Sequence, residues 1–242
     1  MADPVLVGCS HGTRDPAGRN AVHALLDGVY FARRDLDVRE AFVDVQEPEV
    51  ADVVALALAE RPDATAVVVP LLLSAGYHVN VDIARAVEAL PGRAVAAPAL
   101  GPDPRLVDLL LMRMAEAGTE ARDAVVVAAA GSSDAGAARA VEEVAAALAE
   151  VHPGPVSVGY GSAARPSVPE AVAAARATGA PRVVIAAYLL APGYFHDRLA
   201  EAGADVVTAP LAPDHRLVEI VLERYATAAA ALGAPRPLRS RA

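Results

Sequence analysis

The sequence predicts an α/β fold of two similar halves, each built around a four-stranded parallel sheet. Short apolar runs alternate with longer segments rich in Ala, Arg and Glu, which is typical of βαβ units around a buried parallel sheet. Residues 102–108 recur as residues 213–219, and this match is too specific to arise from alanine-rich composition. The chain has 242 residues, 55% of them hydrophobic, which is enough for two units with a sizeable core.

The first half opens with the apolar run 5–9, and further apolar runs follow after longer helical segments. Pro48 and Pro104 stand at the starts of two of these helical segments, where the first turn of a helix tolerates proline. These patterns predict strands over residues 5–9, 38–43, 66–72 and 94–97, and helices over residues 18–33, 49–60, 81–90 and 104–117.

The second half repeats this order. Residues 12–15 are echoed by residues 131–134, and residues 73–77 are echoed by residues 190–194. The corresponding predictions are strands over residues 124–129, 156–160, 182–189 and 204–208, and helices over residues 135–150, 169–178, 195–201 and 215–232. We therefore assign residues 1–119 and 120–233 to the two halves and expect residues 234–242 to form a flexible tail.

Composition excludes several classes of function. The formal charge of −9 argues against a nucleic-acid partner. All 21 basic residues are arginine, so Schiff-base chemistry and a phosphate-binding lysine are excluded. The single cysteine, Cys9, excludes an intrachain disulfide and a cysteine-rich metal site, and we interpret it as a small buried hydrophobe. The sequence contains no recognisable signal peptide or membrane span, and we expect a cytoplasmic protein.

Residues of metal-binding type follow three strands of the first half. His11 follows the first strand, Asp44 the second and His78 the third. Ligands gather outside the carboxyl ends of parallel strands, so these side chains can converge. Two imidazoles and a carboxylate suit a divalent cation such as Fe, Co, Ni or Zn. The spacing leaves other roles open: His11 can close its loop by a hydrogen bond, and Asp44 can cap a helix or give way to Glu47 or Glu49.

The other histidines are weaker candidates. His23 is expected on a helix surface or in packing, His152 in an exposed loop, and His215 in a structural role at a helix start. Aligning the two halves places Ala130 opposite His11 and Phe195 opposite His78. The second half therefore keeps the scaffold without these ligands, which predicts one metal site.

Three segments of the first half, residues 8–16, 42–48 and 69–83, resemble the sirohydrochlorin chelatase family of class II tetrapyrrole chelatases. The His-Gly-Thr-Arg loop that starts at His11 and the Pro-Leu segment that leads to His78 carry this resemblance. Residues 131–134 and 188–193 resemble the second half of the long, duplicated form of the family. The resemblance extends nearly from the start of the chain to about Arg224.

The resemblance implies a chelatase-like fold whose halves face each other across a central cleft. It also implies insertion of Fe²⁺ or Co²⁺ into sirohydrochlorin, in siroheme or cobalamin biosynthesis, without ATP or an organic cofactor. His11 and His78 then bind the metal and accept pyrrole protons, and Asp44 is the third ligand, at a position where family members commonly carry Glu. The residues assigned to substrate binding are Ser10, Gly12, Thr13, Arg14, Gly76, Tyr77, Ser132 and Ser133.

Sirohydrochlorin is a polycarboxylate, so an acidic protein must offer it local positive charge or N–H donors. Arg14, Arg85 and Arg165 are candidates for this task. We expect a monomer, because a duplicated chain can form within itself the cleft that a half-length relative would form as a dimer. Two alternatives remain open: a metal or tetrapyrrole carrier without turnover, and a hydrolase that activates water with a bound metal.

Overall fold

The computed structural model of the chain describes residues 3–74 and 76–233, with the backbone alone for residues 77–80. The first half forms a parallel sheet in the order β2-β1-β3-β4. Its elements are β1 (Val5–Ser10), α1 (Pro16–Ala32), β2 (Val38–Phe42), α2 (Val50–Glu60), β3 (Ala66–Pro70), α3 (Tyr77–Glu88), β4 (Ala94–Ala96) and α4 (Pro104–Glu116).

The second half repeats this topology as a parallel sheet in the order β6-β5-β7-β8. The predicted α/β fold with two four-stranded sheets is thereby confirmed. The elements of this half are β5 (Ala124–Ala129), α5 (Ala135–Val151), β6 (Val156–Tyr160), α6 (Val168–Ala177), β7 (Val183–Tyr188), α7 (Tyr194–Leu199), β8 (Val206–Val207) and α8 (His215–Gly233).

The start of α3 differs most from the sequence prediction, and the start of β8 is among the boundaries that differ by two residues. Helix α3 begins at Tyr77, directly after its N-cap Gly76, and not at residue 81. Residues 77–80 contain no proline or glycine, so nothing in their backbone chemistry stops the helix from starting early. Strand β8 begins at Val206 because the side chain of Asp205 accepts the hydrogen bond from Val183 N–H, at 2.8 Å, where the ladder would start.

The core explains why the central strands are apolar along their whole length. In β5, Val125 and Val127 face a central cluster, while Ala124 and Val126 face an outer cluster under α6. Both faces of the strand are therefore buried, as expected for a parallel sheet between helices. The central cluster also includes Leu6 of β1, so the two halves share one core.

The last helix of each half packs against the sheet of the other half. Helix α8 lies on β3, β4 and α1, whereas α4 lies on β7 and α5. The two sequence copies therefore exchange their last helices. Burial of Leu109 and Leu217, each fully enclosed, comes from this exchange.

Two equivalent arginines hold the exchanged helices in place. Arg113 of α4 donates to the carbonyl oxygens of Pro210 and Leu211, at 3.0 and 3.1 Å. Arg224 of α8, 111 positions later, donates to the carbonyl oxygens of Ala99 and Leu100, at 3.1 and 3.3 Å. The spacing equals that of the repeated Pro-Asp segments, so the duplication extends to these contacts. No helix within the described part of the chain is both long and apolar enough to cross a membrane.

Candidate functional site

The loop after β1 lies directly against the loop after β2. Gly12 has a φ of 90°, and a Cβ at this position would lie 2.5 Å from the carbonyl oxygen of Asp44. Glycine allows both this backbone conformation and this close approach. The backbone N–H of Asp44 donates to the carbonyl oxygen of His11 at 3.2 Å. Two of the three predicted metal ligands therefore stand on loops that are joined through their backbones.

Gln46, which sequence reasoning missed, also joins these loops. Its side-chain oxygen accepts a hydrogen bond from Thr13 N–H at 2.7 Å, and its own N–H donates to the carbonyl oxygen of Asp44 at 2.6 Å. Gln46 lies inside the segment 42–48 that carries part of the family resemblance. A glutamine carries no charge and has no metal-ligand signature, so only the folded loops show that it positions the chain beside His11.

The side chains of His11 and Asp44 are both exposed, so a cation can reach them from solvent. The Asp44 carboxylate uses one oxygen within its own turn, where Oδ1 accepts a hydrogen bond from Val45 N–H at 2.7 Å. Val45 has a φ of 62°, an uncommon conformation for a β-branched residue. The turn is thus built to hold the Asp44 carboxylate at the end of β2.

The third predicted ligand, His78, lies in the first turn of α3, and its side chain lies outside the described part of the structure. The same holds for the side chain of Tyr77. Strand β3, which leads to α3, is the neighbour of β1 on the side opposite β2. Among the described side chains no group of three metal-type ligands is found, and His78 is not among them. Its convergence with His11 and Asp44 stays a prediction.

The second half contains the same pair of loops without the metal-type side chains. Gly131 has a φ of 89°, and Ala164 N–H donates to the carbonyl oxygen of Ser162 at 2.6 Å, as Gln46 does to Asp44. Ser162 Oγ donates to the carbonyl oxygen of Ala130 at 3.0 Å. Ala130 and Ser162 therefore occupy the places of His11 and Asp44.

We expect Gly131→Ala to lower the free energy of unfolding by about 1–3 kcal/mol. A Cβ at Gly131 would collide with the carbonyl oxygen of Ser162, in addition to the cost of a positive φ. Gly179→Ala is the matched control, since Gly179 has a φ of 82° and no atom within 4 Å of its Cβ position. Equal losses for both variants in urea unfolding would show that the loop contact contributes nothing.

Predicted substrate-binding residues lie where the two halves meet. A Cβ at Gly193 would be 3.5 Å from Thr13 Oγ1, and a Cβ at Gly76 would be 3.3 Å from Ser132 Oγ. The two hydroxyls occupy equivalent places, because each accepts a hydrogen bond at 3.1 Å from the N-cap aspartate two residues later. Each of these two contacts joins a loop of one half to a loop of the other: the loop after β1 meets the loop after β7, and the loop after β3 meets the loop after β5.

The remaining predicted substrate residues differ in accessibility. Arg14 and Ser133 are exposed on the loops after β1 and β5. Ser10, at the end of β1, is only 5% exposed, and its hydroxyl has no hydrogen-bond partner among the described residues. A buried hydroxyl without a partner is costly and draws attention to this strand end.

The three candidate arginines differ in their partners. Arg85 lies 3.8 Å from Asp82, and Arg165 is paired with Glu170, one turn into α6. Within residues 3–74 and 76–233, Arg14 makes no ion pair. Arg14 also lies three residues after His11, so it is the candidate best placed to bind a carboxylate beside this loop.

Cys9 belongs to the hydrophobic cluster under α2 and α3 and takes no part in the site. Burial, with a smaller contribution from the negative charge of Asp82, raises the pKa of the Cys9 thiol to about 12. Since the thiolate is the reactive form, we expect no alkylation of native protein by iodoacetamide at pH 8 and stoichiometric alkylation in urea. Fast alkylation of the folded protein would contradict this burial.

His152, expected in an exposed loop, is instead buried. It is the C-cap of α5, and its Nε2 lies 2.9 Å from the carbonyl oxygen of Asp123, the residue before β5. His23 lies on the surface of α1 at 2.8 Å from Glu40. His215 is the first residue of α8, in the place that Pro104 has in α4. None of these three imidazoles lies on the loops of the site.

A family model described as CbiX matches residues 5–117 and matches a second time over residues 124–228. The chain belongs to the CbiX family. The two matches also confirm the duplication, because each covers one half of the chain. Among curated proteins, the "Sirohydrochlorin cobaltochelatase" of Sulfolobus acidocaldarius is 39% identical over 75 residues. This match covers 30% of the chain and 60% of that relative.

Solved structures show the same fold for members and relatives of the CbiX family. SirB from Bacillus subtilis with Fe³⁺ has a TM-score of 0.79 at 22% identity, and the match covers 96% of this chain and 98% of SirB. CbiX, described as the terminal enzyme for biosynthesis of siroheme in denitrifying bacteria, has a TM-score of 0.65 at 20% identity, with 93% and 99% coverage. The family model confirms the family resemblance inferred from the sequence, and these structures confirm the chelatase-like fold.

Proposed function

We propose that this CbiX-family protein is a chelatase that inserts Fe²⁺ or Co²⁺ into sirohydrochlorin. The observation that carries the proposal is the joined pair of loops that present His11 and Asp44 to solvent. The loop that carries His11 also contacts the second half, since Thr13 lies next to Gly193. A relative named as a sirohydrochlorin cobaltochelatase supports this substrate.

In this proposal the metal ion is a substrate, and His11, Asp44 and His78 hold it before transfer. Two neutral imidazoles and one carboxylate bind Fe²⁺ or Co²⁺ and leave coordination positions open for the macrocycle. Coordination by only three protein side chains also allows the ion to leave when four pyrrole nitrogens replace them.

Insertion of a dication releases two protons from the pyrrole N–H groups. The metal forms bonds to four ring nitrogens, the two N–H bonds break, and both protons leave to bases at the site. Once they no longer bind the metal, the imidazoles of His11 and His78 can accept these protons and pass them to water. Protons and charges balance without an oxidant, ATP or an organic cofactor, and we propose that the protein is an ATP-independent metal chelatase of the lyase class.

The substrate carboxylates need donors in a protein with a formal charge of −9. We assign this role to Arg14, together with the hydroxyl groups of Thr13, Ser132 and Ser133 on the loops after β1 and β5. We further propose that the protein acts as a cytoplasmic monomer, because the repeated halves form both sides of the junction within one chain.

An anaerobic absorbance assay tests the function. Purified protein is mixed with sirohydrochlorin and Fe²⁺ or, separately, Co²⁺, and the spectral change on metallation is followed. We expect wild-type protein to convert many equivalents and a His11→Ala/His78→Ala variant to fall to the uncatalysed rate. His215→Ala is the matched control, since His215 is exposed at the start of α8 and lies outside the site. Binding of the pigment with at most one equivalent converted would identify a carrier and overturn the proposal.

A further inference from the structure

Two consecutive aromatic side chains are exposed at the beginning of α7. Tyr194 is 67% and Phe195 is 37% exposed, and their rings are 5.5 Å apart in an edge-to-face arrangement. The chain has only nine aromatic residues and no tryptophan, so an exposed pair is a large part of this inventory. Exposed aromatic rings do not contribute to the core, and a flat ligand would gain most from them.

Phe195 lies against the loops of the second half that correspond to the loops of His11 and Asp44. A Cβ at Gly161 would be 2.9 Å from Phe195 Cδ1 and 3.3 Å from the carbonyl oxygen of Ala130. Ala130 is the counterpart of His11, and the sequence alignment places Phe195 opposite His78. An aromatic ring and a methyl group therefore stand in the second half where the first half has its predicted metal ligands.

The aromatic pair is also next to the junction of the two halves. Gly193, which immediately precedes Tyr194, faces Thr13 Oγ1 and the side chain of Asp15. A Cβ at Gly18, in the first turn of α1, would lie 2.6 Å from the carbonyl oxygen of Pro192. The backbone before the aromatic pair therefore contacts the segment that begins two residues after His11.

A positive charge accompanies the pair. The guanidinium carbon of Arg198 lies 5.7 Å from the centre of the Tyr194 ring. Arg198 is 61% exposed, and its carboxylate neighbour, Glu201, is 4.0 Å away, at the limit of an ion pair. Arg198 is thus available to a ligand carboxylate beside a flat aromatic surface.

We propose that Tyr194, Phe195 and Arg198 bind the macrocycle of sirohydrochlorin. Because the two rings are nearly perpendicular, one ring lies against the conjugated face while the other contacts the macrocycle by its edge, and Arg198 binds a peripheral carboxylate. This inference rests on the proposed function and adds a task for the second half: the first half presents the metal and binds substrate carboxylates through Arg14, and the second half contributes an aromatic contact to the pigment.

Binding of metal-free sirohydrochlorin, followed by absorbance titration, tests this assignment. We expect Tyr194→Ala, Phe195→Leu and Arg198→Gln each to raise Kd by about 3- to 10-fold, which corresponds to the loss of one aromatic or charged contact. Phe31→Ala is the matched control and should leave Kd unchanged. Phe31 is 64% exposed with Arg34 stacked at 5.6 Å, but it lies at the far end of α1.

A second readout separates pigment binding from structural damage. Binding of Co²⁺ alone, monitored by its visible absorbance, should be the same in the three variants and in wild type. Wild-type Kd values for all three variants, together with normal metallation, would overturn this inference and leave the chelatase function standing. Weakened pigment binding in the variants of a protein that binds without turnover would support the inference and overturn the chelatase function. A wild-type protein that binds no sirohydrochlorin would overturn both.

Discussion

His11→Ala is expected to reduce kcat/KM for metallation of sirohydrochlorin by about 10²–10⁴-fold, the range for loss of a group that transfers protons. The imidazole is proposed to hold the metal and then to accept a pyrrole proton, so its removal affects two steps. The loop itself should survive, because His11 is joined to Asp44 through its backbone carbonyl oxygen, which alanine retains. Steady-state kinetics with Fe²⁺ and with Co²⁺ provide the measurement.

Two further variants show whether the effect is specific to His11: Asp44→Ala removes another predicted ligand, and His215→Ala is the control. Asp44→Ala removes one of three ligands and neither of the imidazoles assigned to proton transfer, so we expect it to weaken Co²⁺ binding more than it slows transfer at saturating metal. His215→Ala removes an exposed imidazole at the start of α8 and should retain wild-type rates. If His11→Ala kept its rate within threefold of wild type, the proposed role of His11 would be wrong.

Asp103→Ala is expected to lower the free energy of unfolding by about 3–5 kcal/mol, the usual cost of breaking a buried ion pair. The Asp103 side chain is only 6% exposed. It caps α4 through Arg105 N–H at 3.0 Å, pairs with the Arg105 guanidinium at 2.8 Å, and pairs at 3.2 Å with Arg224 of the exchanged helix α8. Urea unfolding followed by circular dichroism measures the change.

The repeat supplies a matched control for this variant. Asp214 caps α8 through Arg216 N–H at 2.9 Å and pairs with Arg216, yet Arg113, the counterpart of Arg224, binds backbone carbonyl oxygens and Glu116 instead. Asp214→Ala should therefore lose only the cap and the local pair, about 1–2 kcal/mol. Equal destabilisation by the two variants would show that the contact between the halves adds nothing to stability.

The contribution of Asp103 should depend on pH. Burial by itself would raise the pKa of this carboxyl, but hydrogen bonds from Arg105 and the charges of Arg105 and Arg224 hold the pKa below its ordinary value of 3.8. The folded state thus binds the proton less tightly than the unfolded state. The stabilisation by the charged carboxylate is therefore fully present above the ordinary pKa of 3.8, and it is lost as the pH falls through the lowered pKa of the folded state. The difference in stability between wild type and Asp103→Asn should narrow as the pH is lowered from about 6 to about 3.

Local patterns in the sequence predicted most of the fold. Apolar runs with both faces buried identified all eight strands, and the proline positions located helix starts such as that of α4. Boundaries that depend on a side chain were missed. Strand β8 begins late because the Asp205 side chain accepts the hydrogen bond from Val183 N–H in place of a backbone carbonyl oxygen. The buried ring of His152 lies within hydrogen-bond distance of the Asp123 carbonyl oxygen. Neither contact has a sequence signature, since each joins residues more than 20 positions apart.

The candidate site was predictable to the level of its loops. The strand-end positions of His11 and Asp44 indicated their convergence, because the carboxyl ends of neighbouring parallel strands meet at one edge of a sheet. Gln46 was missed, because an amide can serve many roles and only the folded loop shows that it binds Thr13 N–H. The sequence repeat includes Tyr194 and aligns Phe195 with His78, but the exposure of both side chains beside the junction is a property of the folded chain.

By itself, the sequence determined the α/β class, the duplication into two four-stranded halves, and the absence of metal-type residues at the places of His11 and His78 in the second half. These properties follow from local periodicity and from residue identity at aligned positions. Only the tertiary structure decided that α4 packs against the sheet of the second half and α8 against the sheet of the first half. An amphipathic helix fits either of two similar sheets, so the choice depends on long-range contacts such as those of Arg113 and Arg224, which no local pattern encodes.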